Sequence, residues 1–138
     1  MPVVKGQRVR QPFQPSSVKE MTEIEAAWMG ALLEGEGTAE VAWYPTRQGS
    51  GRYTPRIRAS VVNTDPELMS ACLRLVGTGS VSPRSPREGS FGKHKQQFVW
   101  TLQARNSVLD FFHRVAPYSM KAQDALTRWK FLELKGEI

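Results

Sequence analysis

With 138 residues the chain has room for one hydrophobic core, and its only cysteine, Cys72, excludes an internal disulfide. No apolar run approaches the length of a membrane span and the N-terminus has no signal-type apolar region, so a soluble intracellular protein is the default. A formal net charge of +6 and a pI near 9.8 point to a polyanionic partner.

Residues 1–20 carry Lys5, Arg8, Arg10 and Lys19 among Pro, Gln, Val and Ser without a sustained period, which reads as an extended basic arm. A single domain is expected over residues 21–138. Thr22 and Glu25 form a T-x-x-E capping box that opens a first helix. That helix, I-E-A-A-W-M-G-A-L-L-E-G-E-G over residues 24–37, is apolar nearly all round. Ile24, Trp28 and Leu32 make a bulky flank expected to enter the core; Ala27, Gly30 and Ala31 make a flank almost without bulk. Gly30 costs about 1 kcal/mol relative to alanine in a helix interior, so another backbone is expected to come close to it. The small flank, with Glu34 beyond it, is therefore assigned to an interface with a second copy. Gly35 and Gly37 stop the helix, since glycine is favoured where the chain turns to positive φ. An acid at a helix C-terminus runs against the dipole, so Glu36 looks placed for chemistry. Its carboxylate and the freed Gly35 carbonyl are both hard oxygen ligands suited to Mg²⁺ or Mn²⁺.

After Gly37 the apolar period changes to two. Ala39, Val41 and Trp43 face inward, leaving Thr38, Glu40 and Tyr44 outward, until Pro45 ends a first strand. A turn region bearing Arg47 and Arg52 leads to a second strand, with Ile57, Ala59 and Val61 inward and Arg56, Arg58 and Ser60 outward. Two arginines and a serine on one strand face suit phosphates and guanine edges in a major groove. Thr64-Asp65-Pro66-Glu67 opens a second helix that Gly77 closes, with Cys72 on its apolar face. A short strand follows, with Ser80, Ser82 and Arg84 on one face. Arg87 ends that stretch, and Lys93 and His94 belong to a basic hairpin loop over Glu88 to Lys95. A fourth strand over Lys95 to Gln103 puts Phe98, Trp100 and Leu102 inward and Lys95, Gln97, Val99 and Thr101 outward. Asn106 or Ser107 caps a third helix, and a last helix spans about Ser119 to Lys135. The sum, α-β-β-α-β-β-α-α, is an α+β two-layer domain with helices packed on one face of a curved antiparallel sheet. Residues 47–95 hold nine basic residues against three acids, which places the charge excess on the strands and loops of this middle section.

W-M-G-A-L-L-E-G-E-G resembles the LAGLIDADG motif of homing endonucleases in its E-G-E-G ending, and the order of elements over residues 22–135 is similar to that family's domain. The match departs where the family usually has Ala then Gly and this chain has Gly30 then Ala31. The resemblance implies that Glu36 is the metal-binding acid, that Asn63 lies near the active-site water network, and that Lys121 is the active-site lysine. It also implies that the outward sheet face saddles a DNA major groove. A chain with one motif supplies one Glu36, so cutting two strands calls for a homodimer crossing at the motif helices. Its expected target is a long, roughly palindromic DNA site cut across the minor groove to leave short 3′ overhangs. The resemblance extends to the setting: a bacterial or phage-infected cytoplasm or an organelle, where intron or intein mobility takes place. His94 and His113 are isolated, and no nucleophile triad or histidine-metal motif competes. A transcription regulator or RNA splicing maturase of the same fold is the alternative, as is a basic scaffold protein with a fortuitous motif.

Overall fold

The computed structural model describes residues 14–46, 51–84 and 95–138. Helix α1 spans Glu23–Glu36 and is followed by strands β1 (Gly37–Pro45) and β2 (Tyr53–Asn63), then α2 (Pro66–Val76). Strands β3 (Ser80–Arg84) and β4 (Gln97–Leu102) come next, then α3 (Arg105–Val115), a 3-10 turn at Ala116–Tyr118, and α4 (Met120–Leu134). The four strands form one antiparallel sheet in the order β1-β2-β4-β3. The expected order of elements and the α+β two-layer architecture are both observed.

Strand parity positions the layers. Ile57, Ala59, Val61, Trp100 and Leu102 are buried against the helices, with Met29 and Leu33 of α1, Met69, Cys72 and Val76 of α2, Phe111 and Phe112 of α3, and Trp129 of α4. Trp100 meets Phe111 edge-on at 5.5 Å between ring centroids, a geometry worth about 0.5–1.5 kcal/mol beyond its burial. Burial pushes the Cys72 thiol up to about 11, so it stays protonated and packs as an apolar group. Trp43 has inward parity but is 48% exposed, because β1 is an edge strand and α4 only partly covers its far end.

The caps fall as the side chains allow. Thr22 and Glu25 form the expected capping box. On α2 the cap is Asp65, which accepts from the Glu67 N–H, rather than Thr64. On α3 the N-cap is Ala104, not Asn106 or Ser107. Those two side chains instead hold the incoming chain: Asn106 Nδ2 donates to the Gln14 carbonyl and Ser107 Oγ accepts from the Ser17 N–H. Within the segment assigned to the arm, residues 14–20 are tied to α2 and α3, with the Lys19 N–H donating to the Val76 carbonyl. Residues 1–13 lie outside the described residues. No helix among the described residues is long and apolar enough to cross a membrane.

α1 departs from the expected orientation at Ile24, Trp28 and Gly30, while Leu32 packs against the core and Ala31 faces outward as expected. Ile24 is 83% and Trp28 40% exposed, whereas Gly30 is buried. A Cβ at Gly30 would lie 2.7 Å from Tyr118 Cβ and 3.2 Å from the Val115 carbonyl oxygen. Gly30 is thus small because the 3-10 turn of its own chain packs on it, which removes it from the interface set. The outward stripe is Ile24, Trp28, Ala31 and Gly35, with Ala27 half-buried beside it.

Gly30→Ala gains up to about 1 kcal/mol of helix propensity but forces backbone apart, a strain of about 1–3 kcal/mol. Urea denaturation is expected to show a net loss of stability; a gain would contradict the packing described.

Candidate active site and nucleic-acid face

Glu36 is the last residue of α1, and the next residue begins β1 without a loop. Gly37 has φ −108° and ψ 177°, an extended backbone, so the expected positive φ is absent. The glycine is needed for space: a Cβ there would lie 2.7 Å from Leu33 Cδ1 and 2.8 Å from the Ser60 carbonyl oxygen. Helix and strand therefore join tightly, with the exposed Glu36 at the corner.

Two residues far along the chain reach this corner. Asn63, at the end of β2, donates through Nδ2 to Glu36 Oε2. Its Oδ1 accepts from the Asp65 N–H at 2.9 Å. Because that N–H can only donate, it fixes which end of the amide is oxygen and turns the NH₂ toward Glu36. Lys121, in the first turn of α4, donates from Nζ to the Gly37 carbonyl at 2.8 Å. The structure thus brings together Glu36, Asn63 and Lys121.

Glu34 is placed differently from its assignment. Its Oε1 accepts from the Lys121 N–H at 2.9 Å and from Ser119 Oγ at 3.1 Å, so it caps α4 of its own chain. The Lys121 N–H holds this carboxyl below its ordinary value, with the Ser119 hydroxyl and the Lys121 charge acting in the same direction. An acid unfavourable at the end of α1 is thereby favourable at the start of α4. The sequence offers no local signal for this contact, since its partners lie 85 and 87 residues away.

Gly35 lies exposed in the last turn of α1, where helix carbonyls lack partners within the helix. Among the described residues no group of three or more His, Cys, Asp or Glu could hold a metal ion. At this corner the described residues bring the Glu36 carboxylate and the neighbouring Gly35 carbonyl. That donor set fits a hard cation such as Mg²⁺, which commonly takes one or two carboxylates and completes its shell with water and substrate phosphate.

The sheet face opposite the helices carries the expected polar set. In register, Thr38 faces Ser60, Glu40 faces Arg58 and Tyr44 faces Thr54, while Ser80 faces Thr101, Ser82 faces Val99 and Arg84 faces Gln97. Arg56 stands opposite Ala42 on the same face. Arg52 and Lys95 are exposed just before β2 and β4. Arg47, Arg87, Lys93 and His94 lie outside the described residues. At the centre, Tyr44 Oη donates to Glu40 Oε1 at 2.6 Å and Arg58 Nη2 to Glu40 Oε2 at 2.7 Å. The Tyr44 hydroxyl, then Arg58, lowers the Glu40 carboxyl from its ordinary value, and the same bond raises the Tyr44 phenol. With both side chains about a third exposed the ion pair adds about 0–1 kcal/mol of stability. It acts mainly by holding Arg58 and Tyr44 in one arrangement.

No protein-family model matches the sequence, and no curated protein does. Solved structures match in fold. The homing endonuclease I-CvuI, in complex with a DNA target in the presence of Mg, superposes with a TM-score of 0.64 at 15% identity, over 80% of this chain and 67% of that one. The group I intron-encoded homing endonuclease I-CeuI complexed with DNA gives 0.58 at 18%, over 86% and 58%. The archaeal intron-encoded homing endonuclease I-Vdi141I complexed with DNA gives 0.55 at 16%, over 75% and 64%. The chain has the fold of the LAGLIDADG homing endonucleases.

The depressed Glu34 carboxyl predicts a sign for the pH dependence of stability. Its folded pKa lies below the ordinary value of 4.5, so its contribution is complete above that pH and is lost as pH falls through the folded pKa. In urea denaturation the stability difference between the natural chain and Glu34→Gln should be constant near neutrality and shrink below about pH 4.5. A difference that grows on acidification would contradict the capping role.

Proposed function

We propose that the chain is a divalent-metal-dependent DNA endonuclease that acts as a homodimer on a roughly palindromic double-stranded site. The observation that carries this is the convergence of Glu36, Asn63 and Lys121 at the corner where α1 enters the outward-facing sheet. The sheet face beside that corner bears Arg56, Arg58 and Arg84 with Ser60, Ser80 and Ser82, a set suited to phosphates and base edges.

Glu36 and the Gly35 carbonyl would hold Mg²⁺ or Mn²⁺, with Asn63 fixing the rotamer of Glu36. When bound, the metal supplies a water of lowered pKa and charge for the leaving oxygen. Lys121 puts a cation beside the scissile phosphate, where negative charge develops. The outward stripe of α1 supports the dimer. Ile24, Trp28, Ala31 and Gly35 recur at helical spacing on one exposed face, and that face ends next to Glu36. Two copies crossing there would bring two Glu36 carboxylates side by side, one for each strand.

Asn63→Ala should lower metal affinity or cleavage by about 10–100-fold, the usual effect of removing a residue that orients a ligand. Glu36→Gln should abolish cleavage of a plasmid carrying a selected site while binding persists; cleavage at the natural rate would exclude a catalytic Glu36. Binding without cleavage by the natural chain, with Mg²⁺ or Mn²⁺ present, would favour a regulator or maturase. Trp28→Glu should shift sedimentation from dimer to monomer, and a monomeric natural chain on DNA would contradict the dimer.

A further inference from the structure

β2 outruns its neighbour. It pairs with β4 from Ala59, opposite Leu102, to Asn63, opposite Phe98, so among the described residues its first half has β1 on one side and no strand on the other. Beyond Leu102 the chain passes through Gln103 into α3 at Arg105. The gap is a recess of about 300 Å³ lined by Tyr44, Arg56, Arg58, Gln103 and Arg105 beside Ile57.

Three guanidiniums line this recess, and that of Arg58 is engaged by Glu40. The Arg56 and Arg58 guanidiniums lie 5.5 and 6.0 Å from the Tyr44 ring, and that of Arg105 lies 5.2 Å from the Trp129 ring, so aromatic faces orient all three. Guanidiniums gathered in one recess repel one another, and an anion seated among them would offset that repulsion. Guanidinium forks match tetrahedral oxyanions, and the Gln103 amide can donate to a further oxygen.

We propose that this recess is a phosphate-binding site, occupied by a backbone phosphodiester of DNA at the rim of the groove. The source of the phosphate rests on the DNA-binding function proposed above, because Tyr44, Arg56 and Arg58 stand on the face assigned to DNA. Arg105 and Gln103 are new to the interface. A backbone anchor binds alike on every sequence, unlike a base contact.

The test uses the full chain, with Arg105→Gln and, in case loss of the Trp129 contact impairs folding, Gln103→Glu at an exposed position. Duplex binding is followed by fluorescence anisotropy across salt concentrations, and inorganic phosphate is titrated against the side-chain NMR signals of Gln103 and Arg105 in the natural chain. Expected are weakening by the same factor for target and unrelated duplexes, a slope of log affinity against log salt lower by about one in Arg105→Gln, and a saturating phosphate response. A saturating response with an unchanged DNA slope would keep the phosphate site and overturn DNA as its source. No phosphate response and no change in slope would overturn the site. If the natural chain fails to bind DNA, the proposed function fails, and the phosphate titration still decides the recess.

Discussion

Residue 37 has no room for a side chain. A Cβ there would press on Leu33 of the preceding helix turn and on the Ser60 carbonyl of the neighbouring strand. This contact lets α1 run directly into β1, so the last helical residue stands at the corner between helix layer and sheet. A connecting loop would leave Glu36 with the freedom of a loop side chain. As it is, the carboxylate is presented from rigid elements, and Asn63 from the adjacent strand holds it. Lys121 is held in turn, because its backbone N–H is bound to Glu34 and its ammonium to Gly37. The acids at the end of α1 thus divide the work: one ties α4 to the motif helix and the other faces outward.

The sheet complements this corner electrostatically. Its exposed face carries basic and hydroxyl side chains, with one carboxylate, Glu40, enclosed by Tyr44 and Arg58. Such an arrangement keeps long side chains ordered before a partner arrives, which lowers the entropy lost on binding. The same register leaves half of β2 unpaired toward β4, and the arginines beside that gap concentrate positive charge at one end of the face.

Much of this was legible in the sequence, for a local reason. Strand faces follow from alternation between neighbours, so Arg56, Arg58 and Ser60 could be set apart from Ile57, Ala59 and Val61 without knowing what covers them. Glu36 was conspicuous because it opposes the dipole of its own helix. What escaped depends on contacts between distant segments. α1 is apolar nearly all round, so its pattern allowed either flank to be buried; the choice was made by the turn at Ala116–Tyr118 packing on Gly30. The same distance hid the capping of α4 by Glu34. Gln103 and Arg105 line a recess created by strands of unequal length, which no residue pattern along either strand announces.

In the proposed mechanism one Glu36 carboxylate per chain serves one DNA strand. The most direct test is strand-specific cleavage by mixed assemblies of the natural chain and the Glu36→Gln chain, separated by affinity tags and given a supercoiled plasmid carrying the selected site. A mixed dimer is predicted to nick a single strand and accumulate relaxed circles, while the natural dimer yields linear DNA. Linear product from the mixed dimer at the natural rate would contradict the account.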